Sequence, residues 1–176
     1  MLSEWRANTI ISLYKNKGDI QDCNNYRGIK LLSHTMKLWE WVIERRLRSD
    51  ISISENQFGF MLVRSTTEAI YLIKKLMESY GIGKKISTWF IDLEKVYDKV
   101  HREMLWECLE KKEVPVAYIR TIKDMYKGVK TSVRTLTGDT VYFPINIRLH
   151  QGSTLSSFLI TIVIDERTTN IQDEVP

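Results

Sequence analysis

The stretch Ile86-Ser87-Thr88-Trp89-Phe90-Ile91-Asp92-Leu93 decides the fold prediction for this chain of 176 residues. Its β-branched and aromatic residues follow Gly81-Ile82-Gly83 and predict a buried strand with Asp92 near its end. A carboxylate at the end of a rigid strand is suited to Mg²⁺, which prefers hard oxygen ligands. A lone aspartate there is more often a cap or an ion-pair partner, so the pattern alone leaves both interpretations open.

Two helices are predicted before this strand. Apolar residues recur at helical spacing between Met36 and Leu47, and the charged Glu44, Arg45, Arg46 and Arg48 should mostly face solvent. A second helix should begin at Ser65, because Ser65 and Glu68 fit a capping box. The residues expected to form its buried stripe are Ala69, Leu72, Ile73, Leu76, Met77 and Tyr80.

Helices and a hairpin are predicted after the strand. Residues 102–109 and 115–126 have helical patterns, and 131–136 and 140–145 form a predicted hairpin around Gly138. The segment after Leu155 is β-branched in part, but its apolar spacing favours a helix. Helices combined with a hairpin and an internal strand indicate an α+β fold in one continuous unit.

Composition limits the class of protein only loosely. The chain is 43% hydrophobic and can bury a core, while a net charge of +4 and a pI near 9.0 lean mildly toward polyanionic partners. Residues 120–148 hold six basic and two acidic side chains, a pattern that a solvated surface also explains.

The cysteines, the histidines and the apolar runs of the sequence indicate which cellular location to expect. Cys23 and Cys108 are far apart and the three histidines lack zinc-ligand spacing, so reduced thiols are expected. No signal peptide and no apolar run of about 18 residues is evident in the sequence. We therefore expect an intracellular protein, nuclear or cytoplasmic, that is neither secreted nor membrane-bound.

Four sequence blocks, in order, resemble the reverse transcriptase domain of LINE-type (non-LTR) retrotransposons. The blocks are Asn25-Tyr26-Arg27-Gly28-Ile29-Lys30-Leu31-Leu32, Gln57-Phe58-Gly59-Phe60 with Arg64 to Ile70, Phe90 to Val100, and His150 to Ser156. The resemblance covers nearly the whole chain. It implies the fingers and partial palm of a right-hand polymerase, with residues 1–85 fingers-like and residues 86–176 palm-like.

The resemblance also implies a reaction and its partners. The family is an RNA-directed DNA polymerase, a nucleotidyltransferase that extends a DNA primer on an RNA template with dNTPs and two Mg²⁺ ions. It assigns Asp92 as the catalytic ligand of both metals, with the Leu93 carbonyl as a further ligand that also lies beside the nucleotide. No stable protein partner can be inferred.

Four further residues are implied to contact the nucleotide. Tyr97 occupies the position of the aromatic residue that excludes a ribonucleotide 2′-hydroxyl, and Gln151 and Gly152 contact nucleotide and template. Glycine permits close backbone approach, while glutamine offers both a donor and an acceptor. Arg64 matches a residue that meets the triphosphate, for which a permanently charged, planar guanidinium is suited.

Two departures from the family pattern affect the expectations. Leu62-Val63 stands where the family usually has Pro-Gly, which should reshape the loop that carries Arg64. The aromatic-Ala-Asp-Asp hairpin that completes the metal site in the family does not occur within these 176 residues, so we expect no polymerase activity from this chain alone. The acidic pairs Asp165-Glu166 and Asp173-Glu174 are interpreted as solvated or helix-end charges rather than substitutes.

Two other interpretations stay open from the sequence. The chain could be a non-enzymatic nucleic-acid-binding remnant that uses the basic residues of 120–148, or a degenerate fragment that folds poorly. A Rossmann or P-loop nucleotide-binding enzyme is disfavoured, because the required Gly-rich loop between strand and helix is absent from the sequence.

Overall fold

A computed structural model describes residues 3–55, 57–80, 96–145 and 149–173 of the chain. The predicted strand Ile86–Leu93 lies outside these described residues. The helices and strands, in chain order, are β1 (Ala7–Tyr14), β2 (Tyr26–Leu31), α1 (His34–Asp50), α2 (Thr66–Tyr80), α3 (Val96–Lys99), α4 (Arg102–Lys111), α5 (Val116–Tyr126), β3 (Lys130–Thr135), β4 (Gly138–Asp139), β5 (Phe143–Pro144) and α6 (Thr154–Asp173).

The described strands form one mixed sheet in the order β2-β1-β3-β4, with β5 also paired to β3. Strand β1 pairs antiparallel with β2 and parallel with β3, so that Ile10 lies between Lys30 and Val133. The hairpin prediction is confirmed around Gly138, although the pairing beyond that turn is limited to the short β4 and β5. Helices and sheet together confirm the α+β class.

The core lies where α1, α4 and α5 pack around α6. Helix α6 is buried around most of its circumference from Leu155 to Val163, which fits a sequence whose apolar residues are not confined to one face. Leu47, Leu105 and Ile122 contribute fully buried side chains from the other three helices. The prediction of a helix for this ambiguous segment is confirmed.

Helix α1 buries two glutamates, Glu40 and Glu44, and the sequence prediction concerned Glu44. Arg45 and Arg46 are exposed, as predicted. The prediction of a solvent-facing Glu44 is wrong, because Glu44 is 8% exposed and pairs with Arg48 one turn later. The Arg48 guanidinium also lies 4.3 Å from the ring centre of Phe158, so the pair is covered by the core rather than by water.

Helix α2 begins as predicted but does not bury the predicted stripe. The Glu68 amide donates to Ser65 Oγ at 3.2 Å, which is half of the expected capping box. Ala69 is half-buried, whereas Leu72, Ile73, Leu76 and Met77 are 39–59% exposed, so the prediction of a core stripe is wrong for them. Helical spacing shows which side chains share a face, but not whether another surface covers that face. The Tyr80 side chain lies outside the described residues.

The interpretation of Asp165 as a solvated charge is also wrong. Asp165 is 1% exposed, accepts from Lys112 Nζ at 2.7 Å and accepts from the Ser54 amide at 3.1 Å. The sequence could not show this, because Lys112 and Ser54 are more than 50 residues away from it. Glu166 pairs with Lys111 at 3.2 Å, and the side chains of Asp173 and Glu174 lie outside the described residues.

The two cysteines are free thiols, with Cys23 exposed and Cys108 buried. Burial raises the pKa of the Cys108 thiol. Within the described part of the chain, no helix combines the length and the apolar character that crossing a membrane requires.

Candidate functional site

A tight turn at the start of α6 presses against β2. Gly152 has a φ of +100°, and a Cβ atom there would lie 3.2 Å from Ile29 Cγ2 and 3.3 Å from the Lys30 carbonyl oxygen. The Lys30 amide donates to the Gln151 carbonyl at 3.0 Å, which fixes the turn to the strand. Glycine is required here for two reasons, a left-handed backbone and the close approach of another chain segment.

Ser153 connects this turn to α6. Its hydroxyl accepts from the Ser156 amide at 3.1 Å, and its own amide donates to the His150 carbonyl at 3.3 Å. Ser153 therefore caps the helix N-terminus. The position of Gln151 and Gly152 is consequently coupled to a helix that runs through the core.

Tyr97 is held beside the same turn. Its backbone carbonyl accepts from the Leu149 amide at 3.1 Å, and its hydroxyl lies 3.1 Å from Ser157 Oγ. These two contacts attach Tyr97 to residues on either side of Gln151 and Gly152, about 50 residues further along the chain. Three of the predicted site residues therefore occupy one region of the structure.

A cleft of about 470 Å³ opens at this region, between the β1–β2 pair and the turn. Its lining includes Cys23, Tyr26, Gly28, Lys30, His150 and Gln151. Cys23 is exposed, so a thiol reagent has access to one wall of the cleft, whereas Cys108 is buried elsewhere. The lining is mixed, with polar groups from Lys30, His150 and Gln151 beside apolar ones from Ile10 and Leu149.

Arg64 is not brought to the cleft. Its Nη1 donates to the Glu55 carbonyl, and its guanidinium lies 5.6 Å from the ring centre of Phe58, so it packs on its own loop. The preceding Val63 has a φ of +67° and is fully exposed. The backbone thus keeps the conformation that a glycine would favour at this position, although the residue is β-branched.

Asp92 and Leu93 lie outside the described residues, so the predicted metal site stays a prediction. Among the described residues, no three His, Cys, Asp or Glu side chains come together in a way that could hold a metal ion. The fit of a metal therefore rests on the sequence around Asp92 alone, and no step of a mechanism can be routed through it from this structure.

A buried ionisable cluster lies beneath the turn, formed by Lys30, Glu40 and His150. Glu40 is 2% exposed, and its Oε1 lies 3.9 Å from His150 Nδ1. Burial raises the pKa of Glu40 from 4.5 to about 7, while a Ser153 hydrogen bond and the Lys30 charge oppose this rise. Burial and then repulsion from Arg102 lower the pKa of Lys30 from 10.5 to about 7, although Glu40 acts in the opposite direction.

Arg102 of α4 and Tyr126 of α5 border this cluster on its other side. The Tyr126 hydroxyl lies 2.8 Å from Ser156 Oγ, and its ring centre lies 4.5 Å from that of His150. Burial raises the pKa of Tyr126, whereas burial, followed by Lys30 and Arg102, lowers the pKa of His150 well below 6.5. His150 is therefore neutral at physiological pH.

The sequence did not single out this cluster. One available signal was the placement of Glu40, four residues after Met36 and three before Ile43, on the apolar face of the first predicted helix. An acidic residue on such a face predicts a buried carboxyl with a partner, but the sequence alone does not identify that partner.

The basic residues of 120–148 are partly compensated by neighbours. Lys123 Nζ lies 3.9 Å from Glu110 Oε1 and 5.4 Å from the Trp106 ring centre, and Arg134 bonds Asp139 at 3.1 Å. Arg148 lies outside the described residues. These contacts do not favour the alternative of a separate nucleic-acid-binding surface in this stretch.

Comparison with known proteins identifies the class. The family model described as reverse transcriptase (RNA-dependent DNA polymerase) matches residues 14–175, so the chain belongs to the reverse transcriptase family. In the structure of this domain, Gln151 lines the cleft, Gly152 follows it in the turn, and Tyr97 is bonded to residues on either side of that turn.

The similar proteins come from transposons. The chain is 26% identical to the probable RNA-directed DNA polymerase from transposon BS of Drosophila melanogaster, covering 90% of this chain and 18% of that protein. It is 24% identical to the corresponding X-element protein of the same fly, covering 89% and 18%. It is 23% identical to the Pol polyprotein from the type-1 retrotransposable element R2 of Popillia japonica, covering 92% and 23%. The chain thus spans about a fifth of the length of these non-LTR relatives.

Proposed function

We propose that this chain forms the nucleotide-contacting part of an RNA-directed DNA polymerase of a LINE-type retroelement. The observation that carries the proposal is the hydrogen bond from the Leu149 amide to the Tyr97 carbonyl. It joins the segment that follows the predicted catalytic strand to the turn of Gln151 and Gly152. The proposed partners are an RNA template, a DNA primer and a dNTP.

The proposed division of the chain is fingers-like for residues 1–85 and palm-like for residues 86–176. The β1–β2 pair would then form the fingers wall of the cleft, while α3 and the turn before α6 would form the palm side. The contact between Lys30 and Gln151 supports this arrangement, because it closes the two sides on each other.

Tyr97 is proposed to select deoxyribonucleotides. Its hydroxyl lies 3.1 Å from Ser157 Oγ and its backbone is bonded to Leu149, so the ring is held at both ends. A fixed ring can exclude a 2′-hydroxyl sterically, whereas a mobile ring would move aside. Gln151 would contribute its amide to the nucleotide or template, and Gly152 would permit close approach.

Asp92 is proposed as the catalytic metal ligand, with the Leu93 carbonyl beside it. Mg²⁺ in this family activates the primer hydroxyl and neutralises triphosphate charge. Arg64 is proposed to bind the triphosphate, for which it would have to leave its contact with the Glu55 carbonyl. We expect no RNA-templated primer extension with Mg²⁺ and dNTPs from this chain alone. Extension that is lost in Asp92→Asn would overturn that expectation and support the metal assignment, whereas extension that is unchanged in this variant would exclude the metal assignment.

The cleft assignment can be tested through Cys23. A maleimide reagent should label exposed Cys23 much faster than buried Cys108, and a saturating RNA–DNA template-primer with dNTP should slow the labelling of Cys23. Gly152→Ala should abolish this protection, because its Cβ would push the turn away from β2. Gly138→Ala is the matched control: Gly138 also has a positive φ, but a Cβ there has no heavy atom within 4 Å.

The two possible results of this labelling experiment lead to different conclusions. Protection in the wild type and in Gly138→Ala, with none in Gly152→Ala, supports nucleic-acid binding in the cleft. If template-primer leaves the labelling rate of Cys23 unchanged in the wild type, the cleft does not bind it and the proposed function is wrong.

A further inference from the structure

Strand β2 lies at the edge of the sheet, and its hydrogen bonds show which residues face outward. In an antiparallel pair, residues alternate between those bonded to the opposite strand and those whose N–H and C=O groups point away from it. The Lys15 amide donates to the Asn25 carbonyl at 2.8 Å, whereas the Lys30 amide donates away from β1, to the Gln151 carbonyl at 3.0 Å. Both bonds give the same alternation. The residues whose backbone groups point to the outer edge are therefore Tyr26, Gly28 and Lys30.

Protein groups already occupy this edge on either side of Gly28. The Tyr26 amide donates to the Cys23 carbonyl, and the Lys30 amide donates to the Gln151 carbonyl. For the Gly28 amide and carbonyl, no hydrogen-bond partner is found among the described residues. Gly28 lines the cleft of about 470 Å³ together with Cys23 and Gln151. One backbone donor and one backbone acceptor are therefore available at the wall of the cleft.

The available part of the edge is one residue long, and this limits what can bind there. A further β-strand would need the amides of Tyr26 and Lys30 as well, and both are already bonded. A single donor beside a single acceptor instead complements a small planar group with an acceptor and a donor side by side. Because glycine has no side chain, such a group can approach the Gly28 backbone closely.

We propose that the N–H and C=O groups of Gly28 bind the Watson–Crick edge of an unpaired template nucleotide. Each of the four bases carries a donor next to an acceptor on that edge, and proteins commonly bind unstacked RNA bases through it. Bases within the template–primer duplex have already used this edge, so the base that binds belongs to the single-stranded template ahead of the primer end. This inference rests on the proposed function, because it requires template-primer to enter the cleft.

Hydrogen exchange of the Gly28 amide measures this contact directly. In the free protein, this amide should exchange close to its intrinsic rate, whereas the Ile29 amide, which points toward β1, should be protected. A saturating RNA–DNA template-primer with a single-stranded template overhang should slow the exchange of the Gly28 amide by about 3- to 10-fold. The same template-primer with abasic sites in the overhang should not slow it. The Ile29 amide is the internal control and should not change.

Substitution of Gly28 supplies the second readout. Gly28→Pro removes the N–H group without removing a bond to β1, and proline is accepted at strand edges where the N–H points outward. Gly28→Ala is the matched control, because its Cβ atom also lies 3.3 Å from Ile10 Cγ2 but its N–H group is kept. In fluorescence anisotropy, the overhang should strengthen template-primer binding about 3- to 10-fold in wild type and in Gly28→Ala. Gly28→Pro should lose most of this gain and still bind blunt-ended template-primer as Gly28→Ala does.

Several results would overturn the inference. Unchanged exchange of the Gly28 amide in the overhang complex is one, and an equal gain from the overhang in Gly28→Pro and Gly28→Ala is another. Protection of this amide that rises with protein concentration without nucleic acid would show instead that a second copy of the chain pairs there. If Gly28→Pro does not fold, the exchange experiment on the wild type decides. Wild-type protein that binds template-primer without any gain from overhang bases overturns this inference alone, whereas wild-type protein that binds no template-primer overturns the proposed function as well.

Discussion

Replacing Lys30 with methionine should stabilise the protein, and it should do so more in acid than in alkali. Lys30 is 6% exposed, and its ammonium nitrogen has no hydrogen-bond partner among the described residues. Methionine has a similar length and flexibility but no charge to desolvate. The substitution therefore keeps the packing of the stem against its neighbours and removes the unfavourable burial of a cation.

The size of the effect follows from the pKa of Lys30. Burial lowers this pKa from 10.5 to about 7, and each pH unit corresponds to about 1.36 kcal/mol, so burying the charged amine costs up to about 5 kcal/mol. The folded state binds the proton less tightly than the unfolded state. The cost is therefore complete below pH 7 and disappears as the pH rises from 7 to 10.5. We expect a net gain of about 2–4 kcal/mol at pH 6, less than this upper limit because relaxation and water penetration reduce the cost of burying an ion, and little gain at pH 10.

Urea denaturation at pH 6, 8 and 10 measures this dependence. The free energy of unfolding of the wild type should rise between pH 7 and 10 relative to that of Lys30→Met. Lys37→Met is the control, because Lys37 is an exposed lysine on α1 and its loss should change stability by less than about 0.5 kcal/mol. A Lys30→Met variant that is less stable than the wild type at pH 6, or equally shifted at pH 6 and pH 10, would refute the reasoning.

Three other substitutions have defined expectations. Val63→Gly should raise the free energy of unfolding by about 0.5–1 kcal/mol in urea denaturation, because it relieves a left-handed β-branched residue and loses no packing; a decrease would contradict this. Asp165→Asn should lower the free energy of unfolding by about 1–3 kcal/mol, since the half-buried Lys112 ammonium loses its buried carboxylate partner. The double substitution of Lys112→Met and Asp165→Leu should lower the free energy of unfolding less than Asp165→Asn does. An equal loss would argue against an ionic origin of the effect. Tyr97→Phe should cost about 1 kcal/mol through the lost bond to Ser157, and its discrimination between dNTP and rNTP in binding should fall; unchanged discrimination would argue against a fixed ring.

Sequence patterns predicted local secondary structure well, but they predicted the pairing between strands poorly. Capping and apolar spacing located α1, α2 and α5, and the mostly apolar segment 155–163, interrupted by Ser156, Ser157 and Thr161, fits a helix surrounded by other helices. Strands β1 and β2 were not predicted. β2 contains Gly28 and two charged residues, Arg27 and Lys30, and β1 derives its stability from two neighbours, one of which lies more than 100 residues away. Strand pairing of this kind depends on the fold, not on the local sequence.

The residues of the candidate site also divide into those that the sequence could identify and those that it could not. Motif resemblance selected Tyr97, Gln151 and Gly152. The structure places Gln151 in the lining of the cleft, with Gly152 next to it in the turn and Tyr97 bonded to the flanking segments. The motif resemblance could not select Glu40, because a glutamate beside apolar residues can face either water or a partner. Burial distinguishes these cases, and burial is a property of the whole chain.

The parallel pairing of β1 with β3 has a consequence for how the chain is made. Ala7 pairs with Lys130, so about 120 residues must be translated between the two partners, which takes roughly 6–25 s at ribosomal speeds of about 5–20 residues per second. During that interval the β1–β2 pair can already exist, with one edge of β1 unpaired. An exposed strand edge on a nascent chain is a site for wrong partners, including a neighbouring nascent chain on the same messenger. A chaperone that shields strand edges should therefore raise the soluble yield of this protein most when it is present during translation rather than after it.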